Sequence, residues 1–255
     1  MHADNAAGLD RQDAVAAVPA LRIAGLRKRY GARQVLDGVD LQISPGSSFG
    51  LVGMNGAGKT TLLKCVLDFC DFQTGSAQVY GVPTRNAAAR TRLAFVPERF
   101  SPPHYLRCSE FIGMILGLSG ERYDAAAAQR QLAELELDVG VLERPVRQLS
   151  KGMTQKLGLA ACFLLRRDLT LLDEPMSGLD PVSRVAVKRV LARHGAEGRS
   201  LFFTSHVLAD VEELCSTIGV LSRGAIVYCG TPAGLCERYG EPNLERAFIR
   251  CINAD

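Results

Sequence analysis

Gly53-Met54-Asn55-Gly56-Ala57-Gly58-Lys59-Thr60-Thr61 fits the pattern G-x-x-x-x-G-K-[ST] in full. The chemistry behind that spacing is direct. Glycines let the backbone wrap a polyphosphate with its N–H groups, the lysine reaches the β and γ oxygens, and the threonine hydroxyl holds Mg²⁺. The flanks agree with that reading. Phe49-Gly50-Leu51-Val52 is a short apolar run suited to a buried strand, and Thr61 to Leu67 can open as a helix. The N-terminus of such a helix points partial positive charge at the phosphates. The stretch therefore predicts a nucleoside triphosphate site on an α/β fold.

Bulk properties set the frame. With 255 residues the chain can bury one large α/β core with a helical subdomain. A net charge of +3 gives no ground for a nucleic-acid partner, and Arg27-Lys28-Arg29 reads as a solvated face. Apolar residues make up 47%, yet no run approaches the roughly 18 residues that cross a bilayer. The longest, Leu157 to Leu165, stops at Arg166-Arg167 and reads as a buried helix of a soluble domain. Met1 to Ala20 is Ala-rich, carries Asp4, Asp10 and Asp13, and lacks the basic start and apolar core of a secretory leader; it reads as a mobile tail. Eight cysteines without a C-x-x-C pair read as small buried hydrophobes in a reducing compartment, which points to the cytosol.

Along the chain, Leu21 to Tyr30 and Gln34 to Ile43 alternate apolar and polar residues about Tyr30-Gly31-Ala32-Arg33, which predicts a small antiparallel unit. Val79 to Val82 and Leu93 to Val96 are expected as further strands. From about residue 100 to 165 the pattern is helical, with helices at Ser109 to Leu118, Tyr123 to Leu137 and Lys156 to Leu165. Strand-like runs at 169–172 and 200–204 then alternate with helical runs at 182–194 and 207–215. Thr217 to Leu221 is expected to pair with Ala225 to Cys229. That alternation argues a mainly parallel sheet covered by helices on both faces. A last helical run spans Pro242 to Ile252.

Four later features carry chemistry. Leu169-Thr170-Leu171-Leu172-Asp173-Glu174 is an apolar strand ending in two carboxylates. Asp173 suits a Mg²⁺ shell, and Glu174 can orient a water for in-line attack. Ser177-Gly178-Leu179-Asp180-Pro181 reads as a turn opening a helix with proline at its start. Phe203-Thr204-Ser205-His206 puts a histidine just past the C-terminal end of a strand, where α/β sheets bind ligands. Ser150-Lys151-Gly152 has an N-cap serine and makes a second anion-ready helix start. Two phosphate-binding helix ends make sense together if one serves the nucleotide of another copy.

In that order the motifs resemble those of the ATP-binding subunit of an ABC transporter, from about Leu21 to Thr231. Gly53 to Thr61 matches the Walker A motif, Asp173-Glu174 the Walker B end, Asp180 the D-loop, His206 the switch histidine, and Ser150-Lys151-Gly152 the signature loop; Tyr30 is similar to the aromatic that stacks on adenine. The resemblance implies a P-loop NTPase core with a small antiparallel β unit and a helical insert at about 100–165. The ATPase domain would run over 21–235, with a tail helix at 236–255. It also implies ATP and Mg²⁺, with Thr60 and Asp173 as metal ligands, and Lys59, Glu174 and His206 as the hydrolytic residues. A second copy would meet the chain head to tail, and a multi-span permease on a separate chain would hold both at the cytoplasmic face of a membrane.

Two departures stand out. The usual Leu-Ser-Gly-Gly-Gln is Leu149-Ser150-Lys151-Gly152-Met153 here, a variant similar to that of export-type ATPases. Glutamate stands at the Q-loop position, Glu98, where a carboxylate can ligate Mg²⁺ or hold a water while adding negative charge beside phosphates. The alternative is a soluble ATPase of the same type without transport duty. A lone kinase or GTPase fits less well, since the chain has no Asn-Lys-x-Asp string.

Overall fold

The apolar run ahead of the glycine loop becomes β3 (Ser48–Val52), an inner strand of a six-stranded sheet. The computed structural model describes residues 17–254. β3 lies between β8 (Ser200–Ser205) and β9 (Thr217–Ser222), parallel to both. β7 (Leu169–Asp173) and β6 (Leu93–Val96) extend the parallel array on one side. On the other, β10 (Ala225–Gly230) closes it antiparallel to β9. Every residue of β7 and β8 is buried, as expected of parallel strands covered on both faces. Phe49 and Phe202 meet edge to face, with ring centroids 5.5 Å apart.

A second, antiparallel sheet is built from β1 (Leu21–Tyr30), β2 (Arg33–Ile43), β4 (Thr74–Val79) and β5 (Val82–Pro83), in the order β2-β1-β4-β5. The helix after the glycine loop, α1 (Lys59–Val66), packs Leu62, Leu63 and Val66 into one core with Leu21, Leu26, Leu36 and Val39 of this sheet and Phe49, Leu51 and Phe202 of the larger one. That double packing fixes where the helix N-terminus points. Val79 to Val82, expected as a strand, is instead the turn joining β4 to β5. Tyr80 (φ +46°) and Gly81 (φ +77°) are both left-handed, the geometry that a two-residue hairpin turn requires.

Short α2 (Ala87–Arg90) precedes β6. The helical stretch that follows holds α3 (Cys108–Leu118), α4 (Ala125–Glu134) and α5 (Lys151–Leu164), with two 3₁₀ turns between α4 and α5. α4 is shorter than its apolar pattern suggested because Asp124 caps it, accepting from the amides of Ala126 (2.9 Å) and Ala127 (3.2 Å). α5 begins a turn earlier than its apolar run because Ser150 caps it. α6 (Pro181–Ala196) and α7 (Leu208–Leu214) follow β7 and β8, and all three longer helices of the stretch share the second core with them. α8 (Pro232–Tyr239) and α9 (Leu244–Asn253) complete the chain, so the division expected at 235/236 falls inside α8. The expected mobile tail lies mostly outside the described residues. Of its last positions, Ala20 is buried and bonds to Ile43 and Tyr80 through its backbone. All eight cysteines are free thiols, and burial pushes those of Cys65 and Cys162 up to about 12.

One buried histidine makes the fold acid-sensitive. His194 of α6 is 4% exposed, packs on Phe163, and shares a 3.1 Å hydrogen bond between Nε2 and the Thr170 hydroxyl. Burial, and then the nearby Arg199 and Arg193 cations, push its pKa from 6.5 down to about 4. Between those values the unfolded chain binds the proton and the folded one does not. Stability is therefore lost as pH falls through that window, by about 3 kcal/mol for a shift of this size. Denaturant unfolding at pH 7.5 and pH 4 should show a loss smaller by about that amount in His194→Gln than in the wild type. Equal losses would assign the acid sensitivity to other groups.

Candidate nucleotide-binding site

The carboxyl ends of β3, β7 and β8 open into a cavity of about 520 Å³. Tyr30, Met54, Asn55, Gly56, Gly58, Lys59, Thr60, Thr61, Glu98, Asp173, Glu174 and His206 line it, together with Arg33 and Val35. Residues from five separate stretches thus converge where a parallel sheet presents its ligand-binding edge.

The loop is shaped by close approach. Gly58, the residue before α1, sits at φ +114°, where a Cβ would lie 3.0 Å from the Val35 carbonyl oxygen. A Cβ on Gly53 would come within 2.5 Å of the Leu221 carbonyl oxygen. Gly58 offers no side chain to cap the helix, so the first-turn amides of α1 keep their hydrogens for a ligand in the cavity. Ala57 closes the loop by donating its amide to Met54 at 3.1 Å.

Lys59 is 7% exposed, and its ammonium donates to the carbonyls of Gly53 (2.7 Å) and Met54 (3.4 Å). Glu174 Oε1 stands 3.8 Å away. Burial lowers the lysine pKa, while Glu174, then Asp173 and Glu98, oppose that and favour the cation. A polyphosphate would add charge of the sign this ammonium needs.

Glu174 has a left-handed backbone (φ +49°), which costs about 1–2 kcal/mol for a residue with a Cβ. Its side chain lines the cavity. Its amide donates to the Thr204 hydroxyl at 2.9 Å, and that hydroxyl donates to Asp173 Oδ1 at 2.6 Å. Thr204 on the neighbouring strand thus holds the Asp173 carboxylate and the backbone of Glu174. Sequence reading passed over Thr204, though its hydroxyl in an otherwise apolar strand beside a paired-acid strand was the available signal. The other oxygen of Glu174 accepts from His206 Nδ1 at 2.8 Å. Because an ionised carboxylate only accepts, Nδ1 carries the proton, and Nε2 carries one only in the imidazolium.

Tyr30 is 49% exposed at the cavity rim, and the Lys28 ammonium lies 4.5 Å from its ring centroid. Arg33, its partner across the hairpin, is a cation at the same rim that the sequence pattern did not single out. Thr60, Asp173 and Glu98 offer oxygen donors to a hard cation. Among the described residues no group of three or more His, Cys, Asp or Glu is arranged to hold a metal alone. That donor set fits Mg²⁺, which keeps waters and shares phosphate oxygens rather than filling a protein cage.

Ser150, Lys151 and Gly152 do not line this cavity. Ser150 and Lys151 are exposed, and the Ser150 hydroxyl accepts from the Met153 amide at 3.2 Å. The Lys151 side chain crosses the Gly178 backbone, and Gly152 faces Leu179. Asp180 caps α6, accepting from the amide (2.9 Å) and hydroxyl (2.6 Å) of Ser183, which hold its carboxyl below the usual range. The signature-like loop and Asp180 are therefore neighbours on a surface apart from the cavity.

The family model described as ABC transporter matches residues 36–177. An uncharacterized ABC transporter ATP-binding protein of Synechocystis sp. is 36% identical over 203 residues, 76% of this chain and 56% of that protein. The chain thus spans little more than half of that relative's length. The Nod factor export ATP-binding protein I of Ralstonia nicotianae is 34% identical over 227 residues, 86% of this chain and 69% of that protein. A solved structure of an ATP-binding subunit of an ABC transporter superposes with a TM-score of 0.80 at 26% identity, over 91% of this chain and 99% of that one.

Thr204→Val should lower the unfolding free energy by about 1–3 kcal/mol, since it leaves the buried Glu174 amide without an acceptor. Denaturant midpoints at constant slope check this; an unchanged midpoint would mean that the two carboxylates hold their places without the threonine.

Proposed function

The chain belongs to the ABC transporter ATP-binding family, and on that premise we propose that it hydrolyses ATP to drive export through a separate membrane permease. The observation that carries the reading is the cavity's charge pattern. A buried lysine and bare helix amides stand ready for phosphates, and a carboxylate held between Lys59 and His206 faces the same space.

In this reading the triphosphate lies along Gly53 to Thr61 with its adenine on the open face of Tyr30. Lys59 leaves the loop carbonyls for the β and γ oxygens. Thr60, Asp173 and Glu98 would hold Mg²⁺, which when bound would neutralise charge on the phosphates. Glu174 takes a proton from the attacking water as its oxygen bonds to the γ phosphorus. The bond from that phosphorus to the bridging oxygen breaks, leaving ADP and phosphate. Such a base is worth typically ~10²–10⁴ in rate. His206 can donate Nε2–H to the γ-phosphate as an imidazolium, with Nδ1 keeping Glu174 in place.

The rest of the site comes from a second copy. Ser150 and Lys151 are exposed, Gly152 is half-buried, and none of the three lines the chain's own cavity, which suits a loop that closes over the γ-phosphate of a head-to-tail partner. Asp180, beside that loop, would link the two sites. ATP contacts both halves only when they are closed, so binding shifts the population toward the closed pair and hydrolysis releases it. Among the described residues no helix is long and apolar enough to cross a membrane. The pore is therefore assigned to another polypeptide, with the chain bound peripherally at the cytoplasmic face. The helical stretch at about 100–165 is read as the lobe that meets the permease.

Glu174→Gln should bind ATP, abolish turnover and give an ATP-stabilised dimer on size-exclusion chromatography. A monomeric variant that still hydrolyses ATP at the normal rate would refute the assignment. Ser150→Ala should lower hydrolysis tenfold or more while leaving the nucleotide affinity of the dilute monomer nearly unchanged. An equal loss of monomer affinity would place Ser150 in its own chain's site. Copurification with a multi-span protein separates the transport reading from that of a soluble ATPase.

A further inference from the structure

A second cavity, of about 230 Å³, lies at the opposite end of the parallel sheet from the nucleotide site. Asp173 and His206 stand at or just past the carboxyl ends of β7 and β8, whereas Arg166 and Arg199 sit just before those strands begin. α4, α5 and α6 all contribute to its lining. Four guanidiniums face the space, those of Arg130, Arg166, Arg193 and Arg199, against two carboxylates, Glu134 and Glu197.

The acids are already engaged. Arg193 grips Glu134 with both terminal nitrogens and approaches Glu197 at 3.6 Å, and Arg199 reaches Glu197 at 3.2 Å. The side chains of Arg130 and Arg166 have no ion-pair or hydrogen-bond partner among the described residues. Gln131, which also lines the cavity, has a buried Nε2 without a partner, which leaves a donor without its hydrogen bond unless a ligand supplies the acceptor. The free polar nitrogens of this cavity are thus all donors, and the surplus is two positive charges.

We propose that this cavity binds a phosphate-type dianion, held by Arg130, Gln131 and Arg166 across the join between α4 and the α5–β7 connection. A tetrahedral oxyanion presents acceptors to three donors arriving from different directions, whereas a carboxylate presents two oxygens in one plane. The double contact of Arg193 with Glu134 already ties α4 to α6, and a bound anion would tie α4 to the α5–β7 connection as well. The shared chemistry is that of inorganic phosphate and of a small phosphomonoester.

The test is a calorimetric titration of the full chain carrying Lys59→Ala, which removes the lysine of the nucleotide loop, with inorganic phosphate and separately with glycerol 3-phosphate at constant ionic strength. Saturable one-to-one binding of either is expected; tighter binding of the ester would identify the phosphate group of a larger molecule as the source. Adding Arg130→Ala and Arg166→Ala should weaken it at least ~tenfold. If that variant fails to fold by far-ultraviolet dichroism, Gln131→Leu, which keeps every charge, should still weaken binding severalfold. No saturable binding of either probe, or binding unaltered by the substitutions that fold, overturns the proposal.

Discussion

A positive charge buried at the mouth of a parallel sheet is the constraint around which this protein is arranged. Lys59 is nearly closed off from solvent, and burial works against its charge. The charge is tolerated because two loop carbonyls accept from it and three carboxylates stand near. Those partners come from different parts of the chain. The carbonyls require a loop curled back on itself by glycines, and the carboxylates require β7 and β6 to end at the same edge of the parallel sheet as β3. Remove the sheet order and the ammonium would face apolar strands without compensation, an arrangement that costs several kcal/mol.

The same constraint explains the second sheet. α1 must hold its N-terminus against the cavity with no side-chain cap of its own, so its orientation has to come from packing. Apolar side chains of the antiparallel sheet press it from one side and those of the parallel sheet from the other. A helix of eight residues has little stability alone, and its burial supplies what its length does not. The antiparallel sheet also brings Tyr30 and Arg33 to the rim, so one structural element both steadies the loop and offers an aromatic face to a base.

Much of this was legible in the sequence because the signals were local. The glycine spacing at Gly53 to Gly58, the apolar strand ending at Asp173-Glu174 and the Ser150 cap each depend on a few consecutive residues, and each appears where expected. Local signals failed where a short apolar run had two readings. Val79 to Val82 looks like a strand by composition, yet Tyr80 and Gly81 take left-handed backbones and turn the chain. Thr204 was missed for a related reason: a threonine suits any strand, and only its register opposite Asp173 lets it bond both the Asp173 carboxylate and the Glu174 amide. The arginine cavity left no pattern at all, since Arg130, Arg166 and Arg199 lie in three separate parts of the chain.

The sequence by itself determined that the chain carries a phosphate-cradling loop between a buried strand and a helix, and that two acids and a histidine follow at strand ends. Spacing over a handful of residues sets backbone conformation and side-chain chemistry, so those features survive without knowledge of the fold. Only the tertiary structure decided that Glu174 is shared by Lys59 and His206, that Thr204 bonds the Asp173 carboxylate and the Glu174 amide, and that Ser150 to Gly152 lie outside the lining of their own chain's cavity. Those relations join residues tens to more than a hundred positions apart, and strand order and register, which are global properties of the packed sheet, bring them within hydrogen-bond reach or keep them apart.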